Sequence, residues 1–328
     1  MQAHWQNWLS AALDDPGLSG FEQIQSLWNG YGTCCRFYSP LRHQHLVAKV
    51  ILPRPDAKHP RGWQTSHSHQ RKLHSYDVEA HFYRYYQPRL DEHCYAPFLV
   101  AHESAGDNQL LVLEDLSAAG FTQTAGKLSP AQCHTVLRWL AHFHARFMQT
   151  EDNALWHAGG YWHLSTRQQE WEAMQDGELK RKAKAIDSYL ASCQYKTLLH
   201  GDAKVANFCF QSNMQRCAAV DFQYTGSGIG VIDVAYFLGS ALNESALIAH
   251  TESCLDYYFT CLRQALSTTK YHAKADVIIA EWQYAYPVAC ADFCRFLSGW
   301  SPRHAKLNRD LLDRTRQGLL LLQNQKTT

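Results

Sequence analysis

The chain has 328 residues, of which 46% are hydrophobic and 19% charged, the balance of a soluble globular protein long enough for two cores. Thirty-one basic residues nearly cancel thirty acidic ones, for a net charge of +1, which excludes a polyelectrolyte footprint for nucleic acid or acidic membrane. The start, MQAHWQNWLSAALDDPG, has neither a basic segment nor an unbroken apolar run, so no secretory signal is expected there. No window approaches a membrane span, and eleven scattered cysteines without a C-x-x-C pair fit a reducing, cytoplasmic setting.

Residues 24–52 read as a three-stranded meander: IQSLW, then TCCRFY after the turn NGYG, then HLVAKVIL after SPLRHQ. The following PRPDAKHPRGWQTSHSHQ is polar and rich in Pro and His, and reads as a mobile loop. In SYDVEAHFYRYYQPRL, Val78, Phe82 and Tyr85 or Tyr86 recur at helical spacing, and Pro88 stops the helix. APFLVAHES and NQLLVLEDL add two strands, and LEDLSAAGF reads as the crossing into a second part. The division is thus 1–116, a β-rich lobe, and 117–328, a larger and mostly helical lobe.

In the second part, Ser129 and Pro130 open a helix with an apolar stripe through Val136, Leu140, Phe143 and Phe147. One or two helices follow in 151–196, then two short strands, then helices from Ile232 to Leu322. His67, His69 and His74, like His142 and His144, lack the ligand spacing of a zinc site and read as loop histidines.

The chemistry concentrates in LLHGDAKVANFCF, where Asn207 follows Asp202 by five positions, and in VDFQ, which places Asp221 behind an apolar run. Phosphoryl transfer needs a carboxylate at the attacking hydroxyl, oxygen ligands for magnesium, a cation on the phosphates and a backbone turn over them. The sequence offers these in order. Gly30 and Gly32 of NGYG are the covering turn, and Lys49 stands in an otherwise apolar strand. Glu79, on the next helix, is its candidate partner. Asp202 and Asn207 carry the D-x-x-x-x-N spacing of a kinase catalytic loop, and Asp221 follows in the position of a metal-binding aspartate. Lys204, between Asp202 and Asn207, either offsets charge on the phosphate or faces solvent.

HGDAKVAN followed by VDFQ resembles the H-G-D-x-x-x-x-N and D-[FW]-[EQ] motifs of the aminoglycoside phosphotransferase and choline kinase group. NGYG, VEAHFYRYY, LVLEDL and IDVAYFL look most like its ecdysteroid kinase-like branch, over about Trp28 to Leu238. The resemblance implies a protein kinase-like α+β fold of two lobes that uses ATP and Mg2+ to phosphorylate a small-molecule alcohol. It also implies Asp202 as base, Asn207 and Asp221 as magnesium ligands, and Lys49 with Glu79 on the phosphates. Adenine would be held by the backbone of Leu113 to Leu116, Glu114 and Leu116 included. A nucleotide-binding regulator without turnover is the alternative on the same fold.

Beyond the motifs, His200 is expected to brace the loop backbone and Asp233 to cap the helix that follows it. GSGIG (Gly226, Gly228 and Gly230) reads as a flexible loop on the substrate side. The acceptor pocket is left open between an aromatic and acidic one, suited to a cationic alcohol, and a mostly aromatic one, suited to a sterol-like alcohol, on Trp162, Trp171, Trp282, Tyr284, Tyr286, Trp300, Glu281 and Asp292, although aromatic residues at helical spacing are more often core.

Overall fold

The computed structural model describes residues 2–27, 30–53 and 66–324. The chain divides into two compact units, one of residues 1–90 and 96–122, the other of 91–95 and 123–328.

The first unit is built on a five-stranded antiparallel sheet in the order β1-β2-β3-β5-β4. Its strands are β1 (Ser19–Ser26), β2 (Gly32–Ser39), β3 (Gln44–Ile51), β4 (Leu99–Ala105) and β5 (Asn108–Glu114). β3 lies between β2 and β5, with Lys49 opposite Cys34 on one side and Leu111 on the other. Its neighbours Ala48 and Val50 are wholly buried, so the strand that carries the lysine is fixed by core on both edges.

Three boundaries differ from the sequence reading. Helix α1 (Gln2–Leu13) buries Trp5, Leu9 and Leu13 against Phe37, Leu46 and Val112, so the N-terminal stretch belongs to the core. β1 ends at Ser26, earlier than expected, while Trp28 and Asn29 of the turn lie outside the described residues. The expected loop at 53–70 is helical from Ser66, where α2 (Ser66–Tyr85) begins; residues 54–65 lie outside the described part. The helix starts there because its inner face holds Tyr76, Val78 and Phe82, all buried, which anchor the turns that precede them.

The second unit is mostly helical. It comprises β6 (Gln123–Thr124), α3 (Pro130–Arg146), α4 (Gln168–Glu172), α5 (Glu178–Ser192), β7 (Thr197–Leu199), β8 (Phe208–Phe210), β9 (Cys217–Ala219) and β10 (Gly226–Gly228). Then come α6 (Val231–Ala241), α7 (Glu244–Leu266), α8 (Ala275–Trp300) and α9 (Arg309–Asn324). Ser129 and Gln132 form a reciprocal capping box at the start of α3, with Pro130 in the first turn, as its sequence predicts. The expected flexible glycine loop is in fact β10, paired antiparallel with β7. A side chain at Gly226 would strike the Trp156 carbonyl, so these glycines serve close backbone approach rather than mobility.

Among the described residues no helix is long and apolar enough to cross a membrane. No group of three or more metal-ligating side chains forms there. The histidines read as loop residues are helical where described: His69 and His74 lie in α2, and His142 and His144 in α3, because the apolar faces of both helices carry the chain through them. His144 is a fully buried core residue that bonds Tyr258 and Asp233.

Candidate active site

In the first unit, Lys49 Nζ donates to both carboxylate oxygens of Glu79, at 2.9 and 2.7 Å. The side chains are only 11% and 3% exposed, and the ammonium also lies 5.7 Å from the centroid of the Tyr76 ring. A lysine here would oppose burial if it were alone; Glu79 from α2 removes that penalty and fixes the side chain's direction.

At the start of β2, Gly32 has φ +143°, and a Cβ there would meet the Val50 carbonyl at 1.9 Å, so only glycine allows β2 to close on β3. Gly30 has φ +72° and open space around it. At the end of β5, Glu114 N–H donates to Phe98 and its carboxylate accepts from the Phe98 N–H, while Asp115 is held by Arg36 and Ser117. The Leu116 carbonyl accepts from Phe121 N–H. Its own N–H has no partner among the described residues, which leaves one donor open at the place where adenine is expected.

The second unit brings Asp202, Lys204 and Asn207 together. Gly201 carries φ +79°, and a Cβ would strike the Tyr224 carbonyl at 1.9 Å, so the turn before Asp202 requires glycine. His200 is fully buried; its Nδ1 accepts from Asp202 N–H at 3.3 Å and its Nε2 meets the Val220 carbonyl at 3.1 Å. Burial holds its pKa below the ordinary histidine value. It therefore braces the loop backbone, as expected, and joins it to the strand end that leads to Asp221.

Asp233 does more than the helix cap expected of it. It lies inside α6, whose cap is Gly230, and its carboxylate accepts from the backbone N–H groups of His200 (2.6 Å) and Gly201 (3.0 Å) while meeting His144 Nε2 at 3.2 Å. A helix residue thus fixes the loop 30 positions earlier in sequence, a link that no local pattern reveals.

Lys204 Nζ donates to Asp202 Oδ2 at 2.8 Å, and Asn207 Nδ2 donates to the same oxygen at 3.1 Å and to the Asp202 carbonyl at 2.8 Å. Oδ1 of Asp202 receives neither the ammonium nor the amide. Burial, together with the negative charge of Asp221, raises the Asp202 pKa above the ordinary carboxylate value, against the pull of Lys204. Burial pulls Lys204 the other way, but Asp202 and Asp221 outweigh it and hold its pKa above the usual lysine value.

Asn207 ends a 3-10 turn (Val205–Asn207), and its carbonyl accepts from Val220 N–H, which ties the two loops together just before Asp221. Asp221 adopts φ +71°, a left-handed backbone that aspartate tolerates better than most residues, and its carboxylate accepts from the Gln223 amide.

The sequence reading also missed Tyr161 and Tyr236. The Tyr236 hydroxyl meets both Asp202 and the Tyr161 hydroxyl, and burial first, Asp202 second, drives its pKa well up. The aromatic candidates for an acceptor pocket separate differently: Trp162, Trp282 and Tyr286 are core, and Tyr284 is exposed. Trp171 packs beside α5 through a bond to the Lys180 carbonyl, and Trp300 stacks on Phe296. Glu281 accepts from the backbone N–H groups of Gln194 and Tyr195, and Asp292 is paired with buried Arg295. Neither carboxylate is left to form an acidic pocket.

Sequence comparison places this geometry in a family. The ecdysteroid kinase-like family model matches residues 57–158 and 147–271, and the chain belongs to that family. No curated protein matches its sequence. Among solved structures, it is similar to a microcompartment-associated aminopropanol kinase, at TM-score 0.53 and 13% identity, over 100% of this chain and 98% of that one. It is also similar to an ethanolamine kinase of Plasmodium vivax (TM-score 0.53, 10% identity, 97% and 85% covered). A third is an amicoumacin kinase in complex with AMP-PNP and Ca2+ (TM-score 0.51, 12% identity, 98% and 93% covered). At these identities the likeness establishes the fold: a protein kinase-like α+β fold with an antiparallel N-lobe sheet and a helical C-lobe.

Proposed function

We propose that this protein is an ATP- and Mg2+-dependent phosphotransferase that moves the γ-phosphate to the hydroxyl of a small molecule. The observation that carries the reading is the Asp202 carboxylate: one oxygen is held by Lys204 and Asn207, and the other takes neither. Oδ1 is placed to accept the acceptor's hydroxyl proton as its oxygen bonds to the γ-phosphorus and the bond to the bridging oxygen of ADP breaks. The raised pKa makes Asp202 a stronger base than an ordinary carboxylate. Lys204 offsets charge at the carboxylate and on the transferred group.

The residues fit a magnesium ion. Asn207 spends its amide nitrogen on Asp202, which leaves Oδ1 as a donor, and Asp221 adds a carboxylate; this all-oxygen pair is the hard, sparse set that magnesium accepts alongside water and phosphate. When bound, the ion would neutralise charge on the phosphates. Lys49, oriented by Glu79, is the cation for the phosphates, with Gly30 and Gly32 in the covering turn. Glu114 and Leu116 lie in the segment that holds adenine, where the Leu116 N–H is the open donor. None of the eleven cysteines is in a disulfide, which supports a cytoplasmic setting.

The test is transfer of labelled γ-phosphate from ATP across amino alcohols, aminoglycosides, sterols, sugars and hydroxy acids, with Asp202→Ala as the blank. Transfer that the blank lacks upholds the reading. Tight ATP binding without transfer to any acceptor would favour the silent regulator. Asp221→Ala should raise the magnesium concentration needed for nucleotide binding by about 10-fold or more, as loss of a metal ligand does.

A further inference from the structure

Lys306 is a cation that the reaction above does not use. It comes from the segment between α8 and α9, and its ammonium lies 4.4 Å from the Tyr236 ring centroid and 5.6 Å from that of Phe293. Tyr236 in turn places its hydroxyl on Asp202. The residue is partly buried, yet among the described residues Lys306 has no carboxylate at ion-pair distance and no hydrogen-bond partner for its Nζ. The charged groups that act on it are Asp202, already engaged by Lys204, and the two further cations Lys127 and Lys204.

A buried ammonium is ordinarily matched by a carboxylate, and ring faces replace only part of its lost hydration. Two other cations of this unit show that match: Arg167, over the Tyr161 and Phe296 rings, is paired with Glu170, and Arg295 with Asp292. Lys306 has no such carboxylate, and the anion that acts on it is Asp202, the carboxylate that would receive the acceptor. The surrounding wall is apolar: Tyr161 and Tyr236 have ring centroids 5.5 Å apart, and Trp162, Phe293 and Phe296 close in behind them.

We propose that Lys306 recognises the acceptor, and that the acceptor is an alcohol with an apolar or aromatic body and an anionic group, carboxylate or phosphate ester. The proposal rests on the reading of Asp202 as the base. An aromatic surround with one unpaired ammonium disfavours the ammonium of an amino alcohol and is matched by an anion.

The experiment compares four matched acceptors with the intact protein: 4-(hydroxymethyl)benzoate, 4-(hydroxymethyl)phenyl phosphate, 4-(hydroxymethyl)benzamide and 4-(hydroxymethyl)benzylamine. The anionic pair should exceed the amide at least about 10-fold in kcat/KM, chiefly through KM, with the ammonium poorest. The choice between benzoate and phosphate ester names the anion. Lys306→Met should bring the anion-to-amide ratio close to one, and Lys306→Arg should retain it, which separates recognition from a folding defect. Preference for the amide or the ammonium overturns the proposal. So does an equal loss on all four acceptors in Lys306→Met. If no acceptor of the four is phosphorylated, the acceptor class is wrong, while Mg2+-dependent transfer from ATP to another alcohol of the wider panel still upholds the phosphotransferase. No transfer to any alcohol, with Mg2+-dependent ATP binding lost as well, would sink the reading of the site itself.

Discussion

Lys49 and Lys204 each hold a carboxylate within hydrogen-bond distance, yet the two pairs are built for different ends. Lys49 bonds both oxygens of Glu79, with both side chains nearly closed to solvent. Lys204 holds one oxygen of Asp202 only, shares it with Asn207, and is itself 38% exposed. In the closed pair each carboxylate oxygen takes a bond from the ammonium, so its work is to hold the lysine in place. In the open pair Oδ1 takes neither the ammonium nor the amide, and the carboxylate lies in a buried setting beside the Tyr236 hydroxyl, where proton transfer can take place. The difference lies in how the ammonium meets each carboxylate, on both oxygens of Glu79 and on one of Asp202.

The strongest way to break this comparison is to delete the open carboxylate. Asp202→Ala should lower the rate of phosphoryl transfer by about 10^2- to 10^4-fold, the range of a lost general base, while the Kd for ATP stays within about threefold. Single-turnover transfer and equilibrium binding on the same preparation decide it. A variant that transfers at the parent rate would show that Asp202 is not the base.

Next in size is the closed pair. Lys49→Ala leaves Glu79 buried without its cation and should cost about 3 to 5 kcal/mol in urea unfolding. Replacing both, Lys49→Met with Glu79→Leu, should recover most of that loss, because no charge is then stranded. Lys204→Ala should cost less than about 1 kcal/mol, since its ammonium is partly in water, and should act on kcat instead. If the two lysines weighed alike on stability, the distinction between closed and open pairs would fail.

A smaller effect should come from Asp233, which supports the open pair from behind. Asp233→Asn keeps the volume but replaces one acceptor oxygen with an amide, which cannot accept from both the His200 and Gly201 N–H groups. The expected cost is about 1 to 3 kcal/mol of stability, with kcat lowered and the Kd for ATP little changed. A purely structural role would leave kcat per folded molecule intact, so activity is referred to the folded fraction.

What the sequence revealed, and what it withheld, follows the same line. Asp202 and Asn207 are five residues apart, so one loop sets their relation and a reader can see it in the chain. Lys49 announced itself as an ammonium in an apolar strand. Asp233 read as a cap because its partners His200 and Gly201 are distant in sequence and nothing local shows them. Tyr161, Tyr236 and Lys306 come under the influence of Asp202 only through the packing of α6 and the segments beside it. Helix α1 was passed over because QAHWQNWLSAAL reads as a polar start, although three of its side chains enter the sheet core. Glycines 226 and 228 suggested freedom, but tight backbone pairing with β7 is the other reason a chain uses glycine.

The smallest predicted effect concerns the cation outside both pairs. Burial pulls the Lys306 ammonium down to about 8, with Lys127 and Lys204 adding to the fall and Asp202 resisting it. Its charge is therefore present at and below neutral pH and is lost as pH rises through about 8. Tyr236 and Lys204, the neighbours that would otherwise confuse the reading, are both held above their ordinary values and keep their protons through that window. The ratio of kcat/KM for the benzoate to that for the benzamide should thus hold from pH 6 to 7 and fall several-fold by pH 9 (rough pH values set by the lysine titration). The chemical step is common to both acceptors and cancels in the ratio, and the benzoate carboxylate does not titrate over that range. Lys306→Arg should flatten the curve, because guanidinium keeps its charge throughout. A ratio that stays level in the parent protein would place the anion's partner on a group other than Lys306.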